Sequence, residues 1–115
     1  MTKAEKLRAL LNGSETILAP CAFDALSARC IEIAGFPMVG TTGFGIHGAY
    51  LGTPDNGLLT FNEMLSACTQ MAEAVGIPVM ADAEGGYGNA VNTYRTVREF
   101  EKAGLSGLFI EDQKL

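Results

Sequence analysis

Four short apolar runs, residues 16–20, 38–42, 77–82 and 108–111, alternate along this chain with segments whose apolar residues recur at helical spacing. The intervening stripes are Leu26, Cys30, Ile33 and Ala34, then Met64, Cys68, Met71, Ala72 and Val75, then Val91, Tyr94, Val97 and Phe100. Runs that are apolar throughout, rather than alternating with polar residues, suit strands covered on both faces, and helical crossovers join such strands in parallel. The pattern predicts an α/β chain with right-handed crossovers, in either a doubly wound sheet or a barrel.

Start and stop signals bracket these segments. Thr2 followed by Glu5 has the form of a capping box for an amino-terminal helix whose stripe is Ala4, Leu7, Leu10 and Leu11, with Asn12-Gly13 ending it. Asp24 is placed to cap the next helix, and Thr60 with Glu63 repeats the capping box. Gly35, Gly76 and Gly104 sit where helices stop. The expected order is a first helix and then strand, helix, strand, helix, strand, helix, strand.

The 115 residues suffice for one domain, and 48% hydrophobic content is enough to bury a core. A net charge of −5 with scattered basic residues excludes a nucleic-acid footprint or an anionic-membrane patch. No apolar run approaches the roughly 20 residues of a membrane span, and Met1 to Lys6 leads into no signal-type segment, so a cytoplasmic protein is expected. Cys21, Cys30 and Cys68 lack paired short spacing and read as reduced, mostly buried thiols.

The chemistry gathers at strand ends. The run Val79-Met80-Ala81 leads into Asp82 and Glu84 and then into a glycine-rich turn, and Leu108-Phe109-Ile110 leads into Glu111-Asp112. Buried carboxylates are costly unless a cation or proton compensates, and no excess of Lys or Arg stands near them in sequence to neutralise them. Asp82, Glu84 and Glu111 therefore point to a hard divalent cation held by oxygen ligands and water. Asp55 lies in a turn-rich loop, Leu51 to Gly57, where an Asp is also unremarkable.

Residues 43–48, Gly-Phe-Gly-Ile-His-Gly, contain GxGxxG after a strand. A dinucleotide-binding turn would open a helix at once, whereas Gly52, Pro54 and Gly57 favour a loop here. Thr42 with the amides of Gly43 and Phe44 then forms either a small anion pocket or merely a tight loop. His47, the only histidine, reads as structural or idle rather than as a base.

Taken together, Phe23-Asp24-Ala25-Leu26-Ser27-Ala28-Arg29, Thr42-Gly43, residues 51–60, Ala81-Asp82, Gly86-Tyr87-Gly88-Asn89-Ala90 and Ile110-Glu111-Asp112-Gln113 resemble the isocitrate lyase and phosphoenolpyruvate mutase superfamily. The similarity is greatest to its methylisocitrate lyase and carboxyphosphonoenolpyruvate mutase branch. The resemblance implies a TIM-type (β/α)8 barrel, with residues 1–115 as the amino-terminal half of one barrel domain: a first helix and about the first four strands. It implies Mg2+, with Mn2+ as a substitute, and enolate chemistry on a small carboxylate substrate. It also implies that Asp82, Glu84 and Glu111 are metal-site acids, that Asp55 reaches the metal through water, and that Thr42, Gly43 and Phe44 hold the substrate carboxylate.

The activity so implied is that of a 2-methylisocitrate-type carbon–carbon lyase. A phosphonomutase and a noncatalytic half-barrel are the alternatives. Two positions depart from the family pattern: Glu84 stands where a second Asp is usual, and Gly40 where lyases often carry a tyrosine. Lyases of the group place a catalytic Cys on a loop shortly after Glu-Asp-Gln, and Cys21, Cys30 and Cys68 do not match it, so residues 1–115 alone are expected to lack turnover. Four strands leave apolar surface open, and a homo-oligomer is expected.

Overall fold

The computed structural model describes residues 1–113. Helix α1 (Lys3–Leu11) precedes β1 (Cys21–Ala22), α2 (Ala25–Ile33), β2 (Val39–Thr41), α3 (Gly43–Leu51), α4 (Phe61–Ala74), β3 (Val79–Asp82), α5 (Ala90–Lys102) and β4 (Gly107–Phe109). All strand pairs are parallel and the spatial order is β1-β2-β3-β4. A doubly wound sheet reverses its strand order partway. This one does not, and the sequential order is that of a barrel wall.

The core lies between the sheet and the crossover helices. Val39, Val79, Ala81 and Ala22 are fully buried beneath Met64, Cys68 and Met71 of α4 and Phe100 of α5. Here the expected stripe holds: Met64, Cys68, Met71, Ala72 and Val75 are all buried. Thr60 caps α4 through a capping box with Glu63, and Thr2 caps α1 in the same way with Glu5. The opposite side of the sheet carries Cys21 (exposed) and Met80 (half-buried), and Gly40 leaves room for Cys21, because a Cβ there would lie 2.9 Å from its Sγ.

Several expectations are corrected. The first strand is Cys21–Ala22, not 16–20: the ladder begins where the Gly40 N–H donates to the Pro20 carbonyl at 2.9 Å, and Leu18 is 66% exposed. Helix α2 is capped by Asp24 as expected but buries Ala28, leaving Leu26 and Ile33 outside. Its apolar residues satisfy two overlapping stripes, and the small side chain wins because it lets α2 approach α4 closely. Helix α5 likewise buries Phe100 and Thr96, whose Oγ1 donates to the Gly86 carbonyl at 2.9 Å, while Val91 and Tyr94 are exposed. In α1 only Leu7 of the expected stripe is buried. Cys21 and Cys30 are exposed and only Cys68 is buried, against the expectation of mostly buried thiols.

The glycine-rich segment 43–48 is helical, not a loop. Thr42 caps α3, its Oγ1 accepting from the Gly45 N–H at 3.2 Å, and Gly52 ends the helix at φ 65°. Side-chain capping and a left-handed glycine stop together outweigh the low helix propensity of glycine. No helix of the described residues is long and apolar enough to cross a membrane.

Candidate metal and carboxylate site

The carboxyl end of β3 turns sharply, and the turn is held by its own acids. Asp82 Oδ1 accepts from the Glu84 N–H at 2.9 Å, while the Asp82 N–H donates to Thr41 Oγ1 at 2.9 Å. Glu84 adopts φ 50°, a left-handed conformation that non-glycine residues rarely take. The Glu111 N–H donates to the Glu84 carbonyl at 2.7 Å, which ties the segment after β4 to the one after β3.

These turns bring the acids together. One carboxylate oxygen each from Asp82, Glu84 and Glu111 lies within 4.8 Å of the others. Asp82 and Glu84 are buried, and Glu84 Oε1 has no hydrogen-bond partner. Burial pushes the Glu84 carboxyl up to about 7, and Asp82, Asp55 and Glu111 add to the shift by repulsion, with His47 opposing it. An orphaned buried oxygen among like charges lacks a proton or a cation, and an all-oxygen donor set suits a hard divalent ion. The residues present fit Mg2+ or Mn2+.

Helix α3 ends against this cluster. The Gly43 N–H donates to Asp82 Oδ2 at 3.3 Å, so the positive end of the helix faces the acids. Gly43 also has no room for a side chain: a Cβ would collide with Glu84 Oε1 and lie 2.9 Å from Asp82 Oδ2. The structure thus places Thr42, Gly43 and Phe44 at a helix amino terminus. Thr42 Oγ1 is engaged in capping, the Gly43 amide is directed at Asp82, and the Phe44 side chain is 69% exposed.

Asp55 sits at the rim, its side chain 33% exposed, with Oδ1 3.4 Å from His47 Nδ1. His47, Asp55 and Glu84 form a second group of close donor atoms. His47 is nevertheless no ligand there. Its Nε2 accepts from the Leu59 N–H at 3.3 Å, so the proton lies on Nδ1, which donates to the Gly43 carbonyl at 2.7 Å. Both ring nitrogens are committed.

Two features escaped the sequence. His47 is wholly buried on a helix, and only its apolar neighbours Ile46 and Leu59 hinted at that. Tyr87, at φ 62°, packs edge-on against Phe61 with a buried hydroxyl lacking a partner, and burial pushes that hydroxyl well above the usual phenol range. It borders a cleft of about 470 Å³ lined also by Leu59, Glu84, Gly85 and Gln113. A larger cleft of about 720 Å³, bounded by Lys6, Leu10, Pro37 and Pro78, lies at the amino end of the sheet, away from every acid in the cluster. Barrel chemistry belongs to the carboxyl end, which makes the smaller cleft the relevant one.

Comparison with known proteins agrees with this architecture. The family model described as phosphoenolpyruvate phosphomutase matches residues 7–115. The chain is 49% identical over 113 residues to 2,3-dimethylmalate lyase of Eubacterium barkeri, a match covering 98% of this chain and 39% of that protein. It is 44% identical over 109 residues to an oxaloacetate decarboxylase of Rhodopseudomonas palustris (strain BisB5), covering 95% of this chain and 38% of that one. A phosphonopyruvate hydrolase solved in complex with oxalate and Mg2+ superposes with a TM-score of 0.95 at 36% identity, over all of this chain and 40% of that one. The chain spans about two fifths of the length of these relatives, and the solved neighbours are TIM barrels of the superfamily. The chain belongs to the phosphoenolpyruvate phosphomutase family, within the isocitrate lyase and phosphoenolpyruvate mutase superfamily.

Proposed function

We propose that the protein is a Mg2+-dependent carbon–carbon lyase acting on a small 2-hydroxy or 2-oxo di- or tricarboxylic acid, with residues 1–115 as the amino-terminal half of one barrel domain. The observation that carries this reading is the buried acid cluster of Asp82, Glu84 and Glu111, with its orphaned Glu84 Oε1, set against the amino end of α3. Asp82, Glu84 and Glu111 would hold the ion, with Asp55 reaching it through water. Bound there, Mg2+ supplies positive charge to an enolate oxygen that becomes more negative as the carbon–carbon bond breaks.

The rest of the work falls to the chain's own groups. Thr42, Gly43 and Phe44 receive the substrate carboxylate: the hydroxyl proton of Thr42 and the Phe44 N–H are the donors, since the Gly43 and Gly45 amides are held by Asp82 and Thr42, and the helix terminus favours an anion. Gly43 keeps that approach open because any side chain would fill it. The substrate hydroxyl gives up its proton to a base and its oxygen becomes a carbonyl, the bond from that carbon to its neighbour breaks with its electron pair passing into the enolate, and the enolate is protonated afterwards. No cysteine of this chain sits at the acid cluster to supply that proton: Cys21 and Cys30 are exposed, and Cys68 lies under Thr41, where burial raises its thiol to about 11.

The family model itself favours a second reading, phosphonomutase chemistry on a phosphonate acid at the same site. The 2,3-dimethylmalate lyase and oxaloacetate decarboxylase relatives favour breaking carbon–carbon bonds. A homo-oligomer and a cytoplasmic location are part of the proposal. The test is to assay the whole barrel that contains residues 1–115, with Mg2+, against 2-methylisocitrate, 2,3-dimethylmalate and phosphonopyruvate, and to measure its binding of Mn2+ and oxalate. Turnover of a hydroxy acid supports the lyase. Turnover of phosphonopyruvate alone selects the mutase reading, and binding of neither metal nor oxalate leaves the noncatalytic half-barrel.

A further inference from the structure

We propose that His47 is a positioning residue that locks Asp55 and the amino end of α3 into one frame with the acid cluster, an inference that rests on the metal reading above. The ring is fully buried and makes contacts in two directions. On one side Nδ1 lies 2.7 Å from the Gly43 carbonyl, and the Gly43 N–H in turn donates to Asp82 Oδ2 at 3.3 Å. On the other, the same Nδ1 is 3.4 Å from Asp55 Oδ1, and Nε2 takes the Leu59 N–H at 3.3 Å.

The segment from Gly52 to Thr60 contains neither helix nor strand and is mostly exposed, so its own backbone does little to fix Asp55. Because the Leu59 amide can only donate, Nε2 must be bare and the proton lies on Nδ1, hydrogen-bonded to the Gly43 carbonyl with the Asp55 carboxylate 3.4 Å away. One imidazole in one tautomer therefore ties this loop to the helix that carries Gly43 at two points, by a hydrogen bond at Leu59 and by a close approach at Asp55. Groups that orient metal-site acids without touching the metal typically change metal affinity by about 10- to 100-fold when removed.

The experiment is Mn2+ binding to the full chain by calorimetry, in wild type, His47→Asn, His47→Gln and Asp82→Ala. Asn keeps an N–H donor at the place of Nδ1 but cannot reach Leu59; Gln keeps the acceptor for Leu59 and loses the donor toward Asp55. We expect Gln to weaken Mn2+ by about 10-fold and Asn to stay within about 3-fold of wild type. Faster hydrogen exchange at the Leu59 amide is expected in the Asn variant only.

A merely structural histidine would lower the melting temperature without separating the two amides in this way. Wild-type affinity in the Gln variant, or equal weakening in both, overturns the positioning role while Asp82→Ala stays weakened. Wild-type affinity in Asp82→Ala instead overturns the metal reading itself. Should the substituted chains not fold, the imidazole 15N spectrum of the wild type decides: a proton on Nδ1 and a bare Nε2, unchanged by Mg2+, supports the proposal, and a proton on Nε2 or direct metal ligation overturns it.

Discussion

Strand β3 joins two regions built on opposite terms. Along its length Val79 and Ala81 are fully buried under Met64, Cys68 and Met71, and the polar neighbours are satisfied, the Thr41 hydroxyl accepting from the Asp82 N–H and the Ser106 hydroxyl from the Val79 N–H. Two residues past its end, Glu84 holds a left-handed backbone, an unpartnered oxygen and a raised pKa, with Asp82 and Glu111 beside it. The packed region stabilises the fold without any ligand. The acid region costs stability until something positive arrives, which is how binding sites come to depend on the scaffold beneath them.

The sharpest challenge to that contrast is Phe100→Ala. Phe100 is fully buried and lies 6.0 Å, centroid to centroid, from Phe61. Truncation is expected to destabilise by about 3–5 kcal/mol in chemical denaturation. If the two regions are separable, the folded fraction still binds Mn2+ with wild-type affinity, and a parallel loss of affinity would merge them.

Asp82→Ala is the complementary change. Metal affinity should fall by about 100-fold, equivalent to about 2.7 kcal/mol, measured by Mn2+ titration. The metal-free protein should lose less stability than in Phe100→Ala, since a buried like charge leaves together with the two hydrogen bonds Asp82 accepts.

Solution pH probes the acid region alone. An unfolded Glu84 ionises near 4.5 whereas the folded one keeps its proton to about 7, so between these values the folded state binds more protons. Stability of the metal-free protein should therefore fall as pH rises through that window, by up to about 1.4 kcal/mol per pH unit. Mg2+ should remove the slope, and Glu84→Gln should flatten it; an unchanged slope in Glu84→Gln would assign the effect to another group.

The smallest effect belongs to the packed side. Thr60→Ala removes the α4 cap, in which Thr60 Oγ1 accepts from the Glu63 N–H at 3.3 Å. A loss of about 1 kcal/mol in thermal unfolding is expected, with metal affinity untouched. A change in Mn2+ binding would show that the loop carrying Asp55, which ends at Thr60, transmits helix fraying into the site.

Much of this was legible locally. The capping boxes at Thr2 and Thr60, the stripe of α4, and the runs that became β2 and β3 depend on neighbours within four residues or on an all-apolar stretch, and these survive any tertiary arrangement. The acids could likewise be seen as a group, because Asp82, Glu84 and Glu111 each follow a strand and parallel strands end on the same side. The resemblance to the superfamily added the barrel, which periodicity alone left open.

Other choices belonged to packing. On α2 the small Ala28 won over Leu26 and Ile33 because it lets α4 approach closely, and on α5 Thr96, bonded to the Gly86 carbonyl, joined Phe100 inside in place of Val91 and Tyr94. Residues 43–48 became helical because Thr42 and Gly52 cap that helix and its amino end meets the Asp82 carboxylate across 39 residues of sequence. His47 gained a defined tautomer only when Gly43, Asp55 and Leu59 surrounded it. Hydrogen bonds between segments remote in sequence and competition between faces of similar hydrophobicity have no local signature, since each is settled by which surfaces can reach one another after the sheet has formed.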